Sequence, residues 1–300
     1  MTTSVHTRHA GQEYIEISYE AADGVAVITL DAPDRMNAFR VPMLVDLLRA
    51  LAVAEEDPDV RAVIVTGAGR AFSVGAALDG PDTLTKALAE DVDGHTPTGY
   101  REPAGRISEF LFTMRTPVIA AFNGHAIGGG ATIAAAMDIR IASEKARFGF
   151  VFNRRGVVPE GGSSWFLPRL VGIGRATDWI LSGRVFGADE ALAAGFLTKV
   201  VPADQVLAAA HEYAQQFVRD TSPTSVALAK HLIANSWRHD HPAAAAADES
   251  RAYAARVESV DAGEGIMSFI EHRDATFPAL DAEAYQSILD LNDAHRGASS

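Results

Sequence analysis

The chain has 300 residues, 48% of them hydrophobic and 22% charged, a balance that fits one large α/β domain, or a core with a helical appendage, and excludes a disordered chain. Thirty-nine acidic residues against 26 basic ones give a formal charge of -13, which repels polyanions and argues against nucleic-acid partners. The absence of cysteine excludes disulfides and thiolate chemistry; with no signal-peptide run in "MTTSVHTRHAG" and no charge-free stretch of spanning length, the expectation is a cytoplasmic protein without membrane insertion.

After a frayed start, "YIEISYE" and "GVAVITLDAP" alternate or run apolar, and Asp23-Gly24 supplies a hairpin turn between them. The following segment places Met43, Leu44, Leu47, Leu48 and Leu51 at helical spacing, with Pro42 tolerable in the first turn and Pro58 past the end. "RAVIVTGAG", "PVIAAFNG" and "DIRIAS" are short apolar runs separated by glycine turns and helical pieces, the rhythm of buried strands in β-α units. Residues 79–103 are polar and turn-rich around one short helix, and read as a mobile excursion beside the core. Beyond Pro202 the pattern is helical, and Asp261 with Glu264 resembles a capping box before "GIMSFIEHR". The expected organisation is a core over residues 12–205, a helical region over 206–287 and a flexible tail over 288–300.

Two glycine-rich stretches carry chemistry. "GAGRAFSVGAAL" and "NGHAIGGGATIAAAMD" each follow a strand, and the second opens a helix of small residues. Glycine lets a substrate approach the backbone, and the first amides of a helix lack internal acceptors, so two such turns face to face could bind an oxygen that gains negative charge. Close packing alone would also explain either turn. Neither fits a nucleotide site: the first lacks the lysine and hydroxyl of a P-loop, and the second lacks an acid at dinucleotide spacing.

Taken with "LDAPDRMNAF", "DIRIAS", "ARFGF", "PEGGSSWFLPRLVG", "GRVFGADEALAAGFLTKVV" and "FIEHRDATF", these stretches resemble the crotonase superfamily, the enoyl-CoA hydratase and isomerase fold. The resemblance implies an α/β fold with a spiral core of ββα turns, and a C-terminal helical region that builds a homotrimer or a dimer of trimers. It also implies an acyl-CoA thioester substrate, with coenzyme A arriving as part of that substrate and no prosthetic group; the histidines are dispersed without metal-ligand spacing, so no metal is assigned. It assigns the oxyanion amides to Ala76 and Gly129, and lines the CoA channel with Arg35, Ala38, Val74 and Ala76; Arg273 is a further candidate for the phosphates, possible for a neighbouring subunit's ligand. Of the adjacent pair Arg154 and Arg155, at most one is expected to serve the site.

The resemblance also has gaps. Where hydratases of this family carry two water-handling glutamates, this chain has Thr132 and Phe152, and Ala77 replaces a common aspartate. A threonine hydroxyl is too weak a base to replace a carboxylate unaided. Glu160, in "VVPEGGSSW", matches the catalytic position of peroxisomal-type enoyl-CoA isomerases. One carboxylate suffices to carry a proton from C2 to C4 of a β,γ-enoyl thioester, so isomerisation is the leading expectation. Hydration of a 2-enoyl-CoA, decarboxylation, thioester hydrolysis and a non-catalytic acyl-CoA-binding role are the alternatives. Glu160 could instead cap a helix N-terminus, which would make it a weaker base unless apolar neighbours such as Phe150, Phe152 and Trp165 oppose the effect. Asp138 and His125 read as fold residues, and Glu102 and Glu109 are reserves that could reach the acyl end of the cavity.

Overall fold

The computed structural model describes residues 14–297, so the expected start of the core at residue 12 and the last three residues of the expected tail lie outside the described residues. Strands β1 (Ile17–Ala22) and β2 (Val25–Leu30) pair antiparallel in register Ala22↔Val25, which leaves Asp23 and Gly24 as a two-residue turn. Their φ angles of 52° and 78° are those of a hairpin turn whose twist suits the flanking strands. Helix α1 (Val41–Glu56) buries Met43, Leu47 and Leu51, the face that their spacing dictates.

Strand β3 (Ala62–Gly67) then joins β2 in parallel, and a short β4 (Ala71–Ser73) follows it. The excursion holds α2 (Thr83–Glu90) and a small hairpin of β5 (His95–Thr96) and β6 (Gly99–Tyr100), an ordered pair the sequence reading did not anticipate. The hairpin is tied down at Asp91, which accepts from the Tyr100 hydroxyl at 3.0 Å and pairs with Arg106 at 2.5 Å. Helix α3 (Pro103–Thr113) leads to β7 (Val118–Phe122), β8 (His125–Ile127), α4 (Gly129–Ala135), β9 (Ile139–Ser143) and β10 (Arg147–Gly149). Helices α5 (Ser163–Val171) and α6 (Ile173–Ser182), strand β11 (Val185–Gly187), helix α7 (Ala188–Ala193) and strand β12 (Lys199–Val201) complete the core.

Beside the β5–β6 hairpin, two larger sheets result: β1-β2-β3-β7-β9-β12, parallel after its first hairpin, and β11-β10-β8-β4. Alternation along β3 divides its burial. Val63 and Val65 enter the main core, while Ala62 and Ile64 face helix α8 (Val206–Val218) with its Ala210 and Ala214. Between the sheets Phe122, Phe148, Phe196 and Trp179 meet through edge-on contacts. This packed wall fixes the ends of β4 and β8, where the two glycine turns begin.

The C-terminal part is α9 (Pro223–Ser236), α10 (Pro242–Val257), α11 (Val260–Glu271) and α12 (Ala282–Gly297). The expected tail from residue 288 is corrected: α12 runs on to Gly297, because Tyr285 and Ile288 are buried against Ala227, Leu228 and Ala252. Truncating Ile288, 2% exposed, to alanine is expected to destabilise the protein by about 2–5 kcal/mol. A chemical-denaturation midpoint identical to that of the parent would show that α12 does not belong to this core. The expected capping box is also corrected. Ser259 caps α11, its hydroxyl accepting from Ala262 N at 3.2 Å, while Asp261 faces inward to Ser222 and Arg256, and Glu264 pairs with Arg273. Serine immediately before the helix outcompetes an acid inside its first turn for the free amides. No described helix is long and apolar enough to cross a membrane.

Candidate active site

The first glycine turn is set by Asn37. This fully buried residue has φ 54°, and its Nδ2 donates to the carbonyls of Ala68 at 2.9 Å and Ala71 at 2.8 Å. Its Oδ1 accepts from Ala32 N at 2.9 Å, and its own carbonyl accepts from the Ser73 hydroxyl at 2.7 Å. Asn123 grips the same turn from the other side, accepting from Gly67 N and donating to Gly69 O and Ala71 O. Neither asparagine stood among the expected site residues; the signal was an amide residue in each of the "DRMNAF" and "NG" pieces, next to a turn whose carbonyls need donors.

Beyond Ser73 the chain pairs with the segment at Phe39. Phe39 N donates to Gly75 O at 2.7 Å, and Ala77 N donates to Phe39 O at 2.9 Å. In such a parallel bridge the amide of the intervening residue, Ala76, points away from Phe39. Ala76 itself is exposed. The second turn lies against the first: a Cβ added to Gly75 would sit 2.8 Å from Ile127 O and 3.1 Å from Gly129 N. Gly129 opens α4, where first-turn amides have no acceptor within the helix. The expected pair Ala76 and Gly129 is therefore brought together on two touching turns.

Glu160 faces the same place. A Cβ built on Gly129 would lie 3.5 Å from Glu160 Oε1 and 3.2 Å from the Phe39 ring. The capping alternative does not describe the side chain: α5 has no side-chain cap, and Glu160 supplies only its backbone carbonyl to Ser163 N and to the Ser163 hydroxyl. The carboxylate instead accepts from the Thr132 hydroxyl at 2.7 Å, and Thr132 Oγ1 is also 3.2 Å from Gly129 O. One hydroxyl can thus donate to the ionised acid, or accept from the protonated acid while donating to the Gly129 carbonyl. The position that resembles the first hydratase glutamate has become a support for Glu160.

Burial pushes the Glu160 carboxyl up to about 7, the Glu102 carboxylate adds to the rise, and the Thr132 hydrogen bond opposes it. Glu102 caps α3 through Gly105 N and accepts Gly161 N on Oε1 at 2.9 Å. The raised value has a consequence for stability. Below pH about 4.5 Glu160 is protonated whether folded or unfolded, and contributes nothing; between there and 7 the unfolded chain ionises first, binds fewer protons, and folding becomes less favourable as pH rises. The loss is on the order of 3 kcal/mol above 7. Glu160→Gln is expected to reduce the fall in melting temperature between pH 5 and pH 8; parallel falls in both proteins would contradict the raised value.

Other expected residues fall elsewhere. Arg35 donates from Nε to Ala38 O at 3.0 Å and pairs with Glu16, bracing the loop that holds Val74 N to Met36 O. Arg273 is engaged by Glu264, with contacts of 2.6 and 2.8 Å, and by Glu271 at 2.6 Å. Arg154 bonds Ser182 O, and Arg155 is exposed. Phe150 stacks on Trp179, and Trp165 packs on Phe112, Phe166 and Trp237 while lining a cleft with Glu102 and Gly162; the Phe39 ring and Glu160 Oε1 both lie beside Gly129. Asp138 is a fold residue, accepting Val118 N at 2.7 Å and pairing with Lys230 at 2.8 Å. Glu109 pairs with Arg101. Among the described residues, no group of three or more histidines or acids is arranged to hold a metal ion.

Two mixed sheets and a helical C-terminal part frame two touching glycine turns with the half-buried Glu160 beside them. A family model described as enoyl-CoA hydratase/isomerase matches residues 20–279. Enoyl-CoA hydratase ACTT3 of Alternaria alternata is 35% identical over 274 residues, covering 91% of this chain and 89% of that protein. A probable enoyl-CoA hydratase of Rhodobacter capsulatus is 36% identical, covering 88% and 98%. The crystal structure of a probable enoyl-CoA hydratase/isomerase from Mycobacterium abscessus superposes with TM-score 0.78 at 36% identity, over 88% of this chain and 99% of that one. The chain belongs to the enoyl-CoA hydratase/isomerase family, the crotonase superfamily, and is an acyl-CoA-processing enzyme of that family.

Proposed function

We propose that the chain acts on enoyl-CoA thioesters by moving a proton at C2 with Glu160, while the amides of Ala76 and Gly129 hold the thioester oxygen as it gains charge. The observation that carries this reading is the Glu160 carboxyl placed beside the Gly129 turn and bonded by Thr132, where burial pushes it up to about 7. At neutral pH such a group is present both as base and as acid, the condition for proton transfer in either direction. Backbone donors suit an enolate because they are fixed before the charge develops.

Hydration of a 2-enoyl-CoA takes precedence over the isomerisation expected from the sequence, because the Alternaria and Rhodobacter relatives are both named hydratases. In this reading ionised Glu160 takes a proton from the water that attacks C3 and returns a proton to C2. Isomerisation is the second reading. It is favoured by Thr132 and Phe152 at the positions of the usual water-handling acids, with Phe152 buried and unable to carry a proton. Presenting purified protein with 2-enoyl-CoA and, separately, 3-enoyl-CoA separates the two. Hydration yields 3-hydroxyacyl-CoA from the first, heavier by one water; isomerisation converts the second to 2-enoyl-CoA at unchanged mass. Turnover of neither compound would overturn the proposal.

In the same proposal Ala38, Val74 and Ala76 line the CoA channel, Arg35 shapes its loop, and Arg273 exchanges its acidic partners for CoA phosphates. The acyl chain would extend into a cleft of about 510 Å³ walled by Tyr100, Glu102, Ser108, Phe112, Trp165 and Phe166. A homotrimer or dimer of trimers accords with α11, whose Ile266, Phe269 and Ile270 are exposed while its Asp261 and Ser268 are buried.

A further inference from the structure

Glu102 lies at the head of α3, 58 residues before Glu160 in the chain, yet its two carboxylate oxygens are divided between two elements of the site. Oε2 takes the first-turn amide of Gly105, as an N-cap does. Oε1 reaches out of the helix to Gly161 N at 2.9 Å, the amide of the residue that follows Glu160. Gly161 has no slack there: its φ is 63°, and a Cβ would lie 2.9 Å from Thr132 Oγ1 and 3.6 Å from Ala104 Cβ. Thr132 in turn donates to Glu160. The chain of contacts therefore runs from α3 through Glu102 and the 160–161 peptide to the Glu160 carboxyl, and back to α4 through Thr132.

We infer that Glu102 is a positioning residue for Glu160, fixing the peptide that follows it and holding a second negative charge behind its carboxyl group. The groups facing Glu160 divide by element. Helix α3 brings the Glu102 carboxylate, and α4 brings the Thr132 hydroxyl and the Gly129 backbone. Glu102 is the charged member of that set. A like charge resists ionisation of its neighbour, so Glu102 works in the same direction as burial, while a neutral amide at the same place would not. As a cap alone, Glu102 would need only its bond to Gly105; the second oxygen on Gly161 is what a role in the site adds.

The inference rests on Glu160 as proton carrier, and its first readout, the Glu160 titration midpoint, needs no turnover. Infrared difference titration of ligand-free protein with 13C-labelled glutamate reports the protonated carboxyl band, which Glu160→Gln identifies by removing it. In Glu102→Gln the Glu160 midpoint is expected to fall by about one pH unit, and the pH-dependent limb of kcat on the enoyl-CoA substrate to move with it. Glu102→Asp keeps the charge and remains a good helix cap but is too short to span to Gly161; it is expected to hold the midpoint within about half of that shift while lowering kcat by about tenfold at unchanged KM. If Glu102→Gln does not fold, the aspartate variant carries the test through that kcat effect at unchanged KM. A midpoint and pH profile identical to the parent in folded Glu102→Gln, or an aspartate variant with parental kcat, would overturn the inference. A shifted midpoint accompanied by full turnover in Glu160→Gln would instead overturn the reading of Glu160 and leave the coupling standing.

Discussion

Glu160→Gln is expected to lower kcat on an enoyl-CoA thioester by about 10²–10⁴-fold, the usual contribution of a positioned acid–base group, with substrate affinity changed only a few-fold. Glutamine keeps the size of the side chain and can still accept from Thr132, whose hydroxyl lies 2.7 Å from Glu160 Oε1. What it loses is the proton exchange. A loss confined to KM would mean that Glu160 binds substrate and does not move its proton, and undiminished turnover would remove it from the mechanism. The same variant should be the more stable protein at pH 8, since it no longer buries a group that resists ionisation. Gain of stability together with loss of turnover is the pattern of a residue held at a site against its own preference.

The second large effect is expected at Gly75. Its φ of 80° is one that residues with a Cβ rarely adopt, and a Cβ there would press at 2.8 Å on Ile127 O and at 3.1 Å on Gly129 N. Gly75→Ala must therefore part the two turns that carry Ala76 and Gly129. Losing one oxyanion donor costs about 10²–10³ in kcat, and that is the size of the expected fall. The conformational penalty adds about 1–2 kcal/mol of destabilisation. Gly172→Ala separates these effects: Gly172 has φ 77°, with nothing within 4 Å of an added Cβ. It should show a conformational penalty of its own with parental kcat. Equal kinetic losses in the two variants would show that global destabilisation, and not the parting of the turns, lowers the rate.

The parts of the fold visible in the sequence are those set by local chemistry. Asp23-Gly24 dictates a tight hairpin, and the spacing of Met43, Leu47 and Leu51 dictates the buried face of α1. The glycines at 75 and 129 mark backbone that another turn approaches closely. What the sequence did not disclose depends on partners distant along the chain. Asn37 reaches Ala68 and Ala71, more than 30 residues away, and no spacing rule connects them. Thr132 read as a lost acid because its role depends on a carboxylate 28 residues later. Glu102 had no rank because its bond to Gly161 spans 59 residues. The polar-looking end of the chain hid its helix for the same reason: Tyr285 and Ile288 acquire a core only when α9 and α10 lie beside them.

Local competition explains the remaining error. Asp261 and Glu264 have the spacing of a capping box, but Ser259 stands where the helix begins and takes the amide first. Phe150 and Trp165 flank Glu160 in sequence yet pack into separate aromatic clusters, one on Trp179 and the other on Phe112 and Trp237. Proximity along the chain did not show which aromatic partners each ring would take.

Solvent-deuterium incorporation at C2 tests the central claim most directly. The protein would be incubated in D2O with its enoyl-CoA substrate, and deuterium at C2 of product and recovered substrate followed by mass spectrometry and NMR beside Glu160→Gln. If Glu160 carries the proton, the parent incorporates deuterium at C2, and the variant does so at least about 100-fold more slowly while still binding the thioester. Incorporation at equal rates in the two proteins would contradict the account.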